Sequence, residues 1–164
     1  DPGNAGTVLR TADAAGADGV IFTDASVDAY NIKCDRATAG SLFHLPLVVD
    51  VPVAEAVGAM REAGLRILAA DGRAGRSLDE SGPDGRDGLP GGPTGWLFGN
   101  EAWGLPADVL ALADDVVAVP IYGKAESLNL AAAAAVCLYA SARASRAGGT
   151  GQAPPAPAGA PREQ

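Results

Sequence analysis

The stretch VPIYGKAESLNLAAAAAVCLY, residues 119–139, opens with a short apolar run and closes with a long Ala-rich one, and places Glu126, Ser127 and Asn129 at the junction. Its ends read as a buried strand and a buried helix. That reading decides the fold, because the same strand-then-helix pattern recurs upstream. Residues 94–99 (TGWLFG) and 116–120 (VVAVP) read as strands around a short helix at 106–112. Residues 45–51 (LPLVVDV) and 65–71 (LRILAAD) flank a helix at 53–63, and 16–24 (GADGVIFTD) follows a helix at 5–15. Alternating strands and helices imply an α/β fold with a parallel sheet. The last helix is expected over residues 126–146.

At 164 residues and 48% hydrophobic, the chain can bury one sizeable core. The formal net charge of −8 argues against a basic surface that coats nucleic acid, so any RNA must be gripped locally. Cys34 and Cys137 stand far apart in unrelated contexts and suggest neither a zinc site nor a disulfide, and a reducing cytoplasm is the expected location. No apolar run reaches spanning length and no signal pattern opens the chain, so no membrane partner is expected. Residues 71–95, rich in Gly, Asp and Pro, read as a long exposed loop. Residues 1–147 are expected to form one domain and 148–164 a disordered Pro/Ala/Gly-rich tail.

Three polar clusters interrupt the apolar pattern. In the first, Asn4 caps the first helix and Arg10 points outward from its second turn; a capped surface helix with a solvated Arg explains both equally well. The second, LFGNEAWGLP, runs a strand into Gly99, Asn100 and Glu101, where a glycine lets backbone approach a ligand, or simply makes a tight turn. The third holds Ser127 and Asn129 at the mouth of the last helix. Capping by Ser127 or Glu126 explains one polar group there but not both. Parallel-sheet topology can gather all three clusters at the carboxyl edge of the strands.

Taken together, DPGNAGTVLRTADAAGADGVIF, LFGNEAWGLP and VPIYGKAESLNLAAAAAVCLY resemble the three ordered motifs of the SpoU (TrmH-like) RNA ribose 2′-O-methyltransferases of the SPOUT superfamily, and DRATAGSLFHLPLV resembles that family's intervening basic-small-glycine segment. The resemblance covers residues 1–143. No Gly-x-Gly-x-x-Gly follows a strand, which argues against a Rossmann-type site. The resemblance implies a deep C-terminal trefoil knot, which periodicity cannot reveal. It implies S-adenosylmethionine as cofactor, with Leu97, Gly99, Val119, Ile121 and Leu128 as the cofactor-binding positions. It implies Asn4, Arg10, Glu101, Ser127 and Asn129 as the catalytic set, no metal, rRNA or tRNA as substrate, and a homodimer.

The implied reaction is in-line attack of a ribose 2′-hydroxyl on an activated methyl group. A guanidinium cannot act as base near neutrality, so Arg10 is expected to hold a substrate phosphate and stabilise the developing alkoxide. Asn4 and Glu101 would position Arg10 and the loops; Ser127 and Asn129 would orient the ribose or shape the cofactor pocket. Arg36 and Lys124 are further phosphate candidates, each equally explained as a solvated side chain. His44 reads as a structural or surface residue and not a catalytic one, Trp96 as core, and Trp103 as a cover for cofactor or interface. Family members usually carry an N-terminal RNA-recognition domain and a strand before the Asp-Pro turn; this chain begins at that turn, so both are expected to be absent. The alternatives are a catalytically silent RNA-binding or assembly module on the same fold and a small-molecule-binding α/β domain of another kind.

Overall fold

The computed structural model describes residues 2–24, 45–80, 92–99 and 103–148. The elements are α1 (Pro2–Ala15), β1 (Val20–Thr23), β2 (Leu47–Val51), α2 (Val53–Glu62), β3 (Arg66–Ala70), β4 (Thr94–Phe98), α3 (Ala107–Leu110), β5 (Asp115–Val117) and α4 (Leu130–Gly148). The readings made above for Cys34, Arg36, His44, Asn100 and Glu101, and for residues 149–164, lie outside the described residues. α4 reaches Gly148, one residue into the segment expected to be tail.

All described strand pairs are parallel, as the alternation predicts: β1 pairs with β2, and β3 lies between β4 and β5. The central strand is the most apolar stretch, and Ile67, Leu68 and Ala69 are wholly buried, as expected for a parallel strand covered on both faces. Alternation splits it cleanly. Ile67 and Ala69 join Val57, Leu97 and Leu105 on the α2 and α3 side, while Leu68 joins Val117, Leu78 and Cys137 on the α4 side. A third cluster, Leu9, Ala12 and Leu45 with Phe22 and Leu138, seats α1 over β1 and β2 and against α4.

Charged groups fasten β5 to β3. Asp114 accepts hydrogen bonds from the Ile67 N–H and from Arg61 Nη2, both at 2.7 Å, and these hold its carboxyl below the usual carboxylate range. Asp115 takes ion pairs from Arg66 and, at 2.9 Å, Arg76. α1 and α2 end in the same way, with Gly16 at φ +77° and Gly64 at φ +82°. Ala17 N–H donates to Ala12 O and Leu65 N–H to Met60 O, each at 3.0 Å, which closes the last turn as a glycine-terminated helix requires.

Four expectations need correction. α1 starts at Pro2, not residue 5, because proline at a first helical position loses no needed N–H; Asn4 therefore lies inside the helix and is not its cap. α4 starts at Leu130, not residue 126, because Asn129 caps it. β5 is confined to Asp115–Val117, since beyond it only the bridge from Ala118 to Ser77 continues the ladder. The start of the expected loop is not simply exposed. Ala118 N–H donates to Arg76 O at 2.8 Å and Leu78 N–H to Ala118 O at 2.9 Å, which carries Leu78 into the core at 4% exposure.

No helix among the described residues is long and apolar enough to cross a membrane. Among the same residues no cluster of His, Cys, Asp or Glu is placed to hold a metal ion.

Candidate active site

The start of α4 is built around one amide. The Asn129 backbone carbonyl accepts the first helical bond, from Ala133 N–H at 2.9 Å. Its Oδ1 accepts from Ala131 N–H at 2.9 Å and Ala132 N–H at 3.4 Å, satisfying donors that a helix terminus leaves open. With the oxygen committed to the helix, Nδ2 is left to donate to Asn4 Oδ1, 3.1 Å away across 125 residues of sequence. A serine hydroxyl at this position has no second polar atom with which to make that bridge. Capping thus belongs to Asn129 and not to Ser127 or Glu126, both of which are exposed.

Asn4 brings α1 into the same junction. Leu9 and Ala12 are buried on one face of that helix, and Thr7 and Arg10 are exposed on the other. The hydroxyls of Thr7 and Thr11 donate back to Gly3 O at 2.9 Å and Thr7 O at 2.7 Å, so the helix itself satisfies them. Among the described residues no hydrogen bond or ion pair engages the Arg10 side chain.

The five residues expected to hold a cofactor divide into backbone and side-chain roles. Leu97 is 8% exposed and packs in the α2-side core, so only its backbone can face a ligand. At Gly99 a Cβ would come within 2.2 Å of the Gly104 carbonyl carbon and 2.5 Å of Leu105 N; the Gly104–Leu105 backbone lies directly against the end of β4, and only glycine fits. Val119 packs against the α4-side core. Ile121 at 39% and Leu128 at 40% are large apolar side chains left partly open. Between them Tyr122 donates its hydroxyl proton to Asp79, which ties this loop to the segment after β3 and raises the phenol pKa.

The structure therefore joins Asn4 directly to Asn129, with Ser127 and Leu128 immediately before the cap and Arg10 on the same helix as Asn4. Gly99 and Val119 follow β4 and β5, so β3 lies between their strands. Lys124 is exposed. Trp96, expected to be core, is half-buried against the α4-side cluster: it stacks on Phe98 with ring centroids 6.0 Å apart and donates Nε1–H to Ser141 Oγ at 2.9 Å.

One feature escaped the sequence reading. A cleft of about 410 Å³ is lined by Asp71, Arg73, Trp103, Leu105, Leu110 and Val116, among others, and by none of the five expected cofactor residues. The Asp71 side chain is 7% exposed. It accepts from Arg73 Nη2 at 2.8 Å, Nε at 3.0 Å and the Arg73 backbone N–H at 2.8 Å, and these bonds, the guanidinium ones foremost, lower its pKa. The available signal was Asp71-Gly72-Arg73 directly after a buried strand, which the glycine-rich composition downstream obscured.

The chain has close relatives. It is 39% identical over 139 residues to the Bacillus subtilis 23S rRNA (guanosine(2553)-2′-O)-methyltransferase RlmP, covering 85% of this chain and 53% of that protein. It is 40% identical over 157 residues to a Streptomyces viridochromogenes 23S rRNA (uridine(2479)-2′-O)-methyltransferase, covering 93% and 53%. The chain spans about half the length of these relatives. Among solved structures, the SpoU methyltransferase AviRb from Streptomyces viridochromogenes, in complex with the cofactor AdoMet, superposes with a TM-score of 0.74 at 37% identity, covering 91% of this chain and 58% of that one. The profile of the SpoU rRNA methylase family matches residues 1–139, and the chain, with its parallel α/β fold, belongs to that family.

Proposed function

We propose that this chain is the catalytic domain of an S-adenosylmethionine-dependent RNA methyltransferase that modifies a ribose 2′-hydroxyl of rRNA or tRNA. The observation that carries the reading is the Asn4–Asn129 bond. It fixes the helix bearing Arg10 against the start of α4, where Ser127 and Leu128 stand, so that groups suited to substrate and to cofactor share one junction.

The residues fit the cofactor's chemistry. A glycine-enforced backbone crossing at Gly99 and the half-open apolar side chains of Ile121 and Leu128 suit an adenine ring held by apolar contact and backbone polar groups. When bound, S-adenosylmethionine supplies an activated methyl group. The protein's work is then to orient the ribose, exclude water and manage one proton. Arg10, exposed and cationic, holds an RNA phosphate and stabilises negative charge developing on the 2′-oxygen; its guanidinium has no proton to yield near neutrality. Ser127 orients the ribose. Asn129 and Asn4 position α4 and α1 through their shared bond, and to Glu101, which lies outside the described residues, we assign the positioning of Arg10.

The same reading extends to architecture and setting. The Gly104–Leu105 backbone over Gly99, and the 76–78 segment beside Ala118, fit a deep trefoil knot. Val136 and Tyr139, 40% and 45% exposed on α4, suit packing against a second copy in a homodimer. A cytoplasmic location, and a catalytic domain ending near residue 147, accompany this proposal.

Titration calorimetry with S-adenosylmethionine, followed by a labelled-methyl assay on ribosomal and transfer RNA with nucleotide mapping, tests it. Cofactor binding and a mapped 2′-O-methyl nucleotide are expected. Binding without transfer to any RNA would reduce the chain to a silent module; absence of binding would overturn the cofactor assignment as well.

A further inference from the structure

The cleft between the β3 and β4 loops has the features of a site, and nothing in the activity proposed above uses it. Its floor is apolar, made by Leu105, Leu110 and Val116. At its rim Trp103 is 84% exposed, although tryptophan carries a large apolar surface that proteins usually cover. The opposing charged group is already organised. Asp71 grips Arg73 through Nε and Nη2, so the guanidinium is held while Nη1 keeps its donors. Holding a long side chain in place beforehand lowers the entropic cost of binding.

The electrostatics select the ligand class. The Asp71–Arg73 pair is close to neutral as a unit, and a carboxylate lining the cleft opposes a phosphate. A flat, uncharged, polar-edged ring satisfies all three elements: it stacks on indole, covers the apolar floor and accepts hydrogen bonds from a guanidinium. The volume of about 410 Å³ lies in the range of small-molecule sites. The chain's net charge of −8 makes the same demand, since a domain with little phosphate attraction must hold single-stranded RNA by stacking. Both loops leave the carboxyl ends of parallel strands, the edge at which α/β domains bind their ligands.

We propose that this cleft binds an unpaired nucleobase of the substrate RNA, stacked on Trp103 with its polar edge met by Arg73. The proposal rests on the RNA reading above and names residues outside the expected catalytic and cofactor sets. It makes the cleft a determinant of which RNA is accepted: a target flanked by an unpaired base gains this contact, and a continuous duplex does not.

The test uses the full chain with three probes: a labelled single-stranded RNA oligonucleotide, the same sequence annealed as a duplex, and S-adenosylmethionine alone. Trp103→Ala is expected to weaken single-strand binding by about 5- to 100-fold, the range for a lost base–aromatic stack. Trp103→Phe restores most of that loss, Arg73→Gln gives a smaller one, and the Trp103 contribution stays the same as salt is raised. Duplex binding and cofactor affinity stay unchanged. Unaltered RNA affinity in Trp103→Ala overturns the site, and does so without touching the proposed activity if methyl transfer persists. Loss of cofactor affinity in that variant overturns it in favour of the cofactor; unaltered RNA affinity with a changed sedimentation coefficient overturns it in favour of a contact between copies. A wild-type chain that binds single-stranded RNA through Trp103 yet methylates no RNA supports the cleft and defeats the activity, so the two failures are distinguishable.

Discussion

α2 and α4 both follow a strand and both bury a stripe of apolar residues, yet they begin differently. α2 starts after Pro52, which makes no side-chain cap. α4 starts after Asn129, whose amide both caps the helix and bonds to Asn4 on another helix. A helix that only needs to fold can begin with a residue of fixed φ. One whose start must hold a fixed relation to a distant helix needs a side chain with two separate polar atoms. The polar cluster at the mouth of α4 thus joins two segments of the chain as well as starting a helix.

The largest effect is expected from Arg10→Ala. Methyl transfer should fall by about 10²- to 10³-fold, as for loss of a group that stabilises developing charge, while S-adenosylmethionine affinity by calorimetry stays within a few fold. Equal loss of both would make Arg10 structural. The next effect comes from the interior of α4 and not from its start. Burial pushes the Cys137 thiol up to about 12, against an ordinary value of about 8.5 in the unfolded chain. Between those values the unfolded chain loses the proton and the fold keeps it. Stability is therefore complete below about pH 8.5 and falls as pH rises toward about 12, by at most about 1.4 kcal/mol per pH unit. Melting temperature against pH should show that decline, and Cys137→Ala should flatten it; an unchanged slope in the variant would assign the decline to other groups.

The Asn129 series separates capping from bridging. Asn129→Ala removes both and should lower stability by about 0.5–2 kcal/mol in denaturant melts. Asn129→Ser keeps a capping oxygen but loses the reach to Asn4, so stability should hold while turnover drops about tenfold, the scale of one directed hydrogen bond. Asn4→Leu should match that kinetic loss and Asn4→Asp should rescue it, because a carboxylate still accepts from Asn129 Nδ2. Parallel losses of melting temperature and turnover across the series would reduce the bond to a structural contact. The smallest effect is Pro52→Ala at the start of α2: stability within about 0.5 kcal/mol, as for a surface site, and unchanged kinetics.

Much of the fold was legible because its strands are short apolar runs between helical repeats, and parallel pairing follows from that alternation. Element ends were less legible. Asn4 reads locally as a cap and Ser127 reads locally as a cap, since each is a polar residue beside an apolar helix. Neither caps its helix, because α1 already begins at Pro2 and Asn129 is better placed to open α4. Leu78 was hidden in a glycine- and aspartate-rich stretch whose composition signals exposure, and only its pairing beside Ala118 buries it. The cleft was hidden for the same reason, since Asp71 and Arg73 belong to that stretch while Trp103 and Leu105 come from a loop some thirty residues on.

The sequence by itself determined the parallel α/β class, the burial of the strand 66–70 and the identity of the three polar clusters, because periodicity and residue chemistry are local properties. Only the tertiary structure decided that Asn129 divides its amide between a helix end and Asn4, that Gly99 lies beneath the Gly104 backbone, and that Asp71 holds Arg73 in a cleft beneath an exposed indole. The Asn4–Asn129 bond and the meeting of Asp71 and Arg73 with Trp103 join segments remote in sequence, brought together by how the strands order themselves in the sheet, while the Gly99–Gly104 approach depends on the path of the backbone after β4.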